Sequence, residues 1–220
     1  MTFILLLANA FLLGLAHALE PDHVAAVSTF LSRQPGRSSA IRYCVRWGLG
    51  HALPLLAATA LAAGIGLTLP AQVAAYAERG VGAMLILLGV WLLRDVRAGR
   101  LHVHAHEHDG VIHTHLHTHA PGEAGAHDHR HAAFFVGVIH GFSGSASVLL
   151  LALVAGTSSP RLSGAYVVTF SAGVILAMAL YGWSAGALLE RVAARKTAWL
   201  RLVQTGAGCC SVVLGGYWLS

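Results

Sequence analysis

The chain has 220 residues, of which 56% are hydrophobic and only 10% are charged. This composition excludes an ordinary water-soluble domain and is typical of a polytopic membrane protein. The formal net charge of +5 comes from basic residues scattered between apolar segments, so it does not indicate a nucleic-acid-binding surface.

Apolar segments dominate the chain and predict its fold. Six of them are long enough to cross a bilayer, which takes roughly 20 helical residues. They lie at about 3–31, 47–69, 73–93, 132–156, 164–189 and 199–219. The sequence therefore predicts an all-α polytopic membrane protein with six transmembrane helices. We divide it into a first half at 1–97, a histidine-rich loop at 98–131 and a second half at 132–220.

The first apolar segment contains a dense group of ionisable residues. His17, Glu20, Asp22 and His23 lie within seven residues, next to Pro21. An ionisable side chain within a membrane segment costs about 3 kcal/mol and usually marks a functional site. These four residues are therefore candidate metal ligands. The alternative is that they mark a helix end, with both carboxylates in headgroup water.

The same segment is too long for one straight span. Its length as a helix would be roughly 44 Å, against a hydrocarbon core of about 30 Å. Pro21 cannot donate a hydrogen bond to the carbonyl of His17. We therefore expect a helix that is bent or unwound near Pro21, as in transporters whose broken helices expose ion ligands.

The orientation follows from the lysines and arginines, which are enriched in cytoplasmic loops. Only Arg79 and Arg161 fall on one side of the predicted spans, and the other twelve fall on the opposite side. This asymmetry predicts that both termini are outside and that the histidine-rich loop is cytoplasmic.

Two further histidines lie in predicted spans, and glycines accompany both. They are His51, which follows Gly50, and His140, which precedes Gly141. Imidazole suits Ni²⁺, Co²⁺, Cu²⁺, Zn²⁺ and Fe²⁺, and the absence of cysteine or methionine in the group disfavours Cu⁺. We add both histidines to the candidate ligands, and we place Ser143 and Ser145 along the ion path. Plain helix packing is the alternative for each histidine.

The loop between the halves has histidines at alternate positions. It is rich in polar residues and is expected to be disordered without metal. Such tracts bind divalent transition ions multivalently, so we interpret the loop as a metal buffer or sensor; a solvated linker is the alternative. The eleven candidate loop ligands are His102, His104, His106, His108, His113, His115, His117, His119, His127, His129 and His131.

The two halves share weak sequence similarity. His17 and Gly50 correspond to His140 and Gly173 at an offset of 123 residues, and 88–91 resembles 214–217 at an offset of 126. With three spans in each half, the halves would have opposite orientations. Inverted repeats with a site at their interface are a known transporter plan. Chance similarity between glycine-rich helices is the alternative.

The motif His17-x4-Asp22-His23 resembles the signature of the nickel/cobalt permease superfamily. The surrounding residues 14–23, together with 140–145, 170–173 and 178–180, resemble its short urease-accessory, UreH-like branch and its branch with a histidine-rich loop. The resemblance implies transport of Ni²⁺ or Co²⁺, with His17, Asp22 and His23 essential. The chain departs from the longer permeases, because it has six predicted spans rather than eight.

The sequence thus predicts a permease in a bacterial-type inner membrane, which takes up Ni²⁺ or Co²⁺ as substrate. Its expected partners are this ion and the lipid bilayer, without a resident cofactor, nucleic acid or enzymatic activity. Three alternatives remain at this point. They are an efflux protein for the same ions, a metal sensor anchored by its helices, and a membrane metalloenzyme.

Overall fold

The computed structural model describes residues 3–33, 36–65, 71–99, 101–108, 111–118, 130–142, 159–195 and 197–220. The helices are α1 (Phe3–His17), α2 (Pro21–Leu31), α3 (Arg37–Ile65), α4 (Ala71–Arg97), α5 (Arg130–Phe142), α6 (Pro160–Arg195) and α7 (Thr197–Leu219). One antiparallel hairpin, β1 (Leu101–His108) and β2 (Val111–Thr118), lies between α4 and α5. The structure confirms an all-α polytopic membrane protein, with the hairpin as an addition in the predicted loop.

The observed helices cover much of the predicted spans, but they begin and end at different residues. Among the described residues, three helices are long and apolar enough to cross a membrane, at Ala75–Arg97, Pro160–Ala194 and Ala198–Leu219. The bent pair of α1 and α2 makes a fourth when it is counted as one span. Helix α3 covers most of the predicted second span and begins earlier, at Arg37. The predicted span 132–156 is described only as far as Phe142, within the shorter apolar helix His131–Phe142.

The first span is broken next to Pro21, as predicted. Helix α1 ends at His17, and a tight turn follows in which the amide of Glu20 donates to the carbonyl oxygen of His17 at 3.0 Å. Pro21 is the first residue of α2, where its missing N–H costs nothing. The two helices are bent by 55°. The break therefore places the end of one helix and the beginning of another side by side.

Glycines let the helices of the two halves touch through their backbones. A Cβ added at Gly14 would lie 2.1 Å from the carbonyl oxygen of Phe170, and one added at Gly137 would lie 2.0 Å from that of Trp47. Gly137 follows Gly14 by 123 residues, and Phe170 follows Trp47 by the same number. Helix α1 of the first half packs on α6 of the second half. Helix α5 of the second half packs on α3 of the first half in the corresponding way.

The last helices of the two halves, α4 and α7, also contact each other through corresponding glycines. A Cβ at Gly82 would lie 2.9 Å from the carbonyl oxygen of Gly215, and one at Gly89 would lie 2.6 Å from that of Gly208. Gly208 and Gly215 follow Gly82 and Gly89 by 126 residues. The exchanged contacts support an internal repeat. The boundaries of the halves, and their opposite orientation in a membrane, stay predictions.

The hairpin departs from the expectation of a loop that is disordered without metal. Strands β1 and β2 pair along their whole length, from Leu101 opposite Thr118 to His108 opposite Val111. The physical reason is the alternation of histidine with residues such as valine, leucine and threonine, which is a period-2 strand pattern. Disorder was expected because the loop has few apolar residues to bury, and the alternation of residue types was not taken into account.

Candidate metal centre

Three histidines from three helices converge at the break in the first span. His17 ends α1, His23 lies in the first turn of α2, and His51 lies within α3. The ring centroid of His17 is 4.6 Å from that of His23 and 5.3 Å from that of His51, and the last two are 5.2 Å apart. One ligand atom from each lies within 4.8 Å of the others, which is close enough for all three to bind a single ion.

These imidazoles are buried, and five of their six nitrogen atoms lack hydrogen-bond partners. The exposed fraction is 5% for His17, 1% for His23 and 0% for His51. Leaving a buried polar atom unpaired costs roughly 1–3 kcal/mol, so such a group calls for an explanation. An ion held by the imidazoles would satisfy them. The buried imidazole nitrogens without a hydrogen-bond partner among the described residues are His17 Nδ1, His23 Nδ1 and Nε2, His51 Nδ1 and Nε2, and His140 Nε2.

Two carboxylates flank the histidines on the side of the helix break. Oε1 of Glu20 lies 2.9 Å from Nδ1 of His17, without the alignment of a hydrogen bond. Oδ1 of Asp22 lies 3.4 Å from Nδ1 of His23. Glu20, Asp22 and His23 form a second group whose ligand atoms lie within 4.8 Å of one another. His23 therefore belongs to both groups.

The two carboxylates differ in their access to solvent. The side chain of Glu20 is 37% exposed, whereas that of Asp22 is 5% exposed. The Glu20 side chain thus lies at the surface of the centre, and that of Asp22 lies inside it. Carboxylate oxygens beside imidazole nitrogens make a mixed donor set, which suits divalent transition ions and offsets their charge.

His140 lies beside the three-histidine group but is not part of it. Its ring centroid is 5.2 Å from that of His23, on helix α5 of the second half. Nδ1 of His140 donates to the carbonyl oxygen of Val136 at 3.0 Å, which leaves Nε2 as the free ligand atom. The structure therefore brings His140 next to the centre as a neighbour of His23, and does not place it with His17 and His51.

Aromatic rings that the sequence analysis missed enclose the histidines. Trp47 is fully buried and stacks on His51, with ring centroids 5.2 Å apart and planes 10° apart. It also meets the rings of His23 and His140 edge-on, at 5.0 and 5.5 Å. Phe170 lies 5.4 Å from His17. The sequence did contain one indication of this contact, because Trp47 precedes His51 by four residues and so lies on the same face of a helix.

The remaining predicted site residues fall elsewhere. Ser143 and Ser145 lie outside the described residues, as do His119, His127 and His129. His131 is exposed in the first turn of α5. The seven loop histidines from His102 to His117 lie in strands β1 and β2, which are remote in sequence from His17, His23 and His51.

Comparisons with known proteins agree with a membrane protein of this kind. The family described as the cytochrome C biogenesis protein transmembrane region matches residues 10–217. The urease accessory protein UreH of Bacillus sp. (strain TB-90) is 32% identical over 182 residues, which cover 79% of this chain and 72% of that protein. No solved structure matches the chain. The chain therefore belongs to the membrane family of the cytochrome C biogenesis protein transmembrane region, as a UreH-like member.

Proposed function

We propose that this protein is a permease that carries a divalent transition-metal ion into the cytoplasm, with Ni²⁺ as its main substrate and Co²⁺ as its second. One observation carries the proposal. Three buried imidazoles with unpaired nitrogens converge at a helix break, inside a protein built of membrane helices. Ionisable groups at such a position are expensive unless an ion uses them.

The two overlapping ligand groups supply an order of binding. The ion first meets Glu20 at the mouth, then Asp22 and His23, and finally the buried group of His17, His23 and His51. His23 is the shared ligand, so the ion can exchange partners one at a time without losing all of its ligands. Each exchange replaces part of the hydration shell by a protein donor.

The donor chemistry favours divalent transition ions of intermediate softness over the softer and harder ions. All candidate ligand atoms are imidazole nitrogens and carboxylate oxygens, which suit Ni²⁺, Co²⁺ and Zn²⁺ better than Cu⁺ or Mg²⁺. The resemblance of the motif His17-x4-Asp22-His23 to the nickel/cobalt permeases, and the similarity to a urease accessory protein, support nickel in particular.

Uptake is the direction that needs no coupled ion. A membrane potential supplies about 2.3 kcal/mol per charge per 100 mV, hence about 4.6 kcal/mol for a divalent cation entering a negative cell. We place the termini outside and residues 94–131 in the cytoplasm, because twelve of the fourteen basic residues lie on that side. Efflux is the alternative direction, and it would require an additional driving ion.

Two other functions make different predictions. A sensor would act through the histidine-rich loop and would fail when residues 101–131 are removed, whereas a permease would still move metal. A metalloenzyme would need a general base beside the bound ion. Among the described residues, the candidate centre offers Glu20, Asp22 and His140 for this role, and both carboxylates lie close enough to the histidines to be ligands themselves.

The deciding experiment is metal flux into sealed proteoliposomes under an imposed potential. We expect radiolabelled Ni²⁺ to enter faster when the vesicle interior is negative, and His23→Ala to abolish entry. Thr29→Val is the matched control, because Thr29 is buried on the same helix and donates only to the carbonyl oxygen of Ala25. No flux in wild-type vesicles, or equal flux with His23→Ala, would reject the proposal.

A further inference from the structure

A cavity of about 470 Å³ lies behind helix α2, between this helix and α6 and α7. Apolar side chains form most of its wall. On α2 the cavity is lined by Pro21, Val24, Ala25 and Ser28, which recur at helical spacing and therefore form one face of the helix. Packed protein interiors hold few voids larger than a water molecule. This face of α2 thus has open space beside it where a neighbouring helix would normally pack.

The candidate ligand His23 lies on the opposite face of the same helix. It is two residues from both Pro21 and Ala25, and each helical residue turns by about 100°. Its imidazole therefore projects away from the cavity, toward His17 and His51, whose ring centroids are 4.6 and 5.2 Å from its own. Those two ligands belong to α1 and α3. A shift of α2 into the cavity would consequently draw His23 away from both of them.

Helix α2 is fixed at its far end and jointed at the end that carries the ligands. At the far end, Nε2 of Gln204 donates to the carbonyl oxygen of Ser32 at 2.8 Å, and Arg33 pairs with Asp95. At the other end, the turn at 18–20 joins α2 to α1 with a bend of 55°. Such a break can serve as a hinge, because a few residues at the ends of helices absorb changes in backbone dihedrals. The helix can therefore tilt about its far end, and its first turn then moves most.

The opposite wall of the cavity is made of small residues where α2 would approach. Ala185 of α6 and Gly206 and Ala207 of α7 line it, and nothing lies within 4 Å of a Cβ added at Gly206. Small residues let membrane helices approach each other closely. A hydrogen bond between the hydroxyl groups of Ser28 and Tyr181, at 2.6 Å, already ties α2 to this wall. The movement therefore does not begin by breaking a polar contact on the cavity side.

We propose that α2 is the moving gate of the transporter: its first turn swings into this cavity, separates His23 from His17 and His51, and so releases the ion. This inference rests on the proposed transport function and deepens it, by naming the helix that moves. His23 belongs to both ligand groups, so its displacement weakens both at once. A bound ion favours the closed position of α2, since that position lets the three imidazoles hold the ion together.

Filling the cavity should stop this movement and leave the closed centre intact. Gly206→Trp places an indole in the cavity, whereas Gly206→Ala adds one methyl group. Gly216→Trp is the matched control, because Gly216 lies on the same helix, also has nothing within 4 Å of its Cβ, and is not among the described residues that line the cavity. We expect Ni²⁺ flux in proteoliposomes to fall by about tenfold or more in Gly206→Trp alone, since a conformational step of this kind limits turnover. Gly206→Trp should bind Co²⁺ as tightly as the wild type, measured by the part of the visible absorption that His23→Ala removes.

A second way to fill the cavity acts on the folded protein. Cys210 lines the cavity and is exposed, whereas Cys209 is exposed at the neighbouring position, about 100° around the helix. The variants Cys209→Ser and Cys210→Ser are reconstituted and treated with N-phenylmaleimide, and the modification is verified by mass. We expect the reagent to block flux in Cys209→Ser, where Cys210 reacts, and to leave flux in Cys210→Ser unchanged.

Undiminished flux after either kind of filling, in vesicles whose wild-type protein transports, overturns the gate and leaves the transport function standing. Loss of Co²⁺ binding in the filled proteins overturns the gate as well, since the cavity would then shape the centre rather than receive a helix. If Gly206→Trp fails to insert, the alkylation of Cys210 decides alone. Absence of flux in the wild type would reject the transport function, and the gate with it.

Discussion

Arg33 and Asp95 form a buried ion pair that joins the far end of α2 to α4. Nη2 of Arg33 lies 2.5 Å from Oδ2 of Asp95, and the guanidinium lies 3.3 Å above the centre of the Trp91 ring. Helix α2 also carries two candidate ligands in its first turn. The ion pair therefore anchors the same short helix that brings these ligands to the metal centre.

Breaking this pair on one side should destabilise the protein. Asp95→Asn leaves the guanidinium of Arg33 buried without its counter-charge, which we expect to cost about 3 kcal/mol of unfolding free energy. The double variant Arg33→Met and Asp95→Leu should recover most of that loss, because two apolar side chains leave no unpaired charge. Thermal unfolding in detergent measures both. A single variant as stable as the wild type would show that the pair does not hold α2.

Close helix contacts at glycine predict a second effect on stability. In Gly14→Ala and Gly137→Ala the new methyl group meets a carbonyl oxygen of the facing helix, so the helices must separate. We expect a loss of roughly 1–3 kcal/mol for each, as for overpacked cores. Gly206→Ala is the matched control, since nothing lies within 4 Å of its Cβ and alanine favours a helix. Destabilisation by Gly206→Ala equal to that by Gly14→Ala would contradict this account.

The broken span could be predicted, because the proline and the excess length are both local features of the sequence. The convergence of His51 with His17 and His23 could not, since it depends on how α3 packs against the break. Spacing along the chain says nothing of that contact. The sequence grouped His140 with the same ligands, and the structure places it beside His23 and Trp47, outside the group of three.

Two other features, the role of Trp47 and the hairpin, left signals in the sequence that the sequence analysis did not use. Trp47 looked like one more apolar residue of a membrane helix, and only its contacts with three imidazoles give it a role. The hairpin was overlooked because the loop has little to bury, which suggested disorder. Asp109-Gly110 between alternating segments was the local signal that favoured strands instead.

The geometry separates the three central histidines from His140. His17→Ala, His23→Ala and His51→Ala each remove a ligand of the buried group, so we expect each to abolish Ni²⁺ flux at matched membrane abundance. His140→Ala should leave that group intact and weaken apparent affinity without abolishing flux, because it removes only the unpaired Nε2 beside His23. Radiolabelled Ni²⁺ uptake at several concentrations distinguishes the two outcomes. If His140→Ala abolished flux while His51→Ala did not, the assignment of the centre would be wrong.

Trp47 should act as a positioning residue for the imidazoles. Trp47→Ala removes the ring that stacks on His51, which frees two neighbouring imidazoles to rotate. We expect Co²⁺ to bind this variant about 10–100-fold more weakly, with a changed visible absorption spectrum. Trp47→Phe keeps an aromatic wall and should recover most of the affinity and the spectrum. An unchanged Co²⁺ spectrum in Trp47→Ala would show that the indole does not set the ligand geometry.

The proposed orientation can be tested by chemical labelling of intact cells. Twelve of the fourteen basic residues lie on one side of the predicted spans, and such residues are retained in the cytoplasm. A single cysteine at Ser220 should therefore react with an impermeant thiol reagent from outside, and one at Ala124 should react only after the cells are opened. The background must lack Cys44, Cys209 and Cys210, of which the last two are exposed. Labelling at Ala124 in intact cells would reverse the orientation, and with it the side from which an ion first meets Glu20.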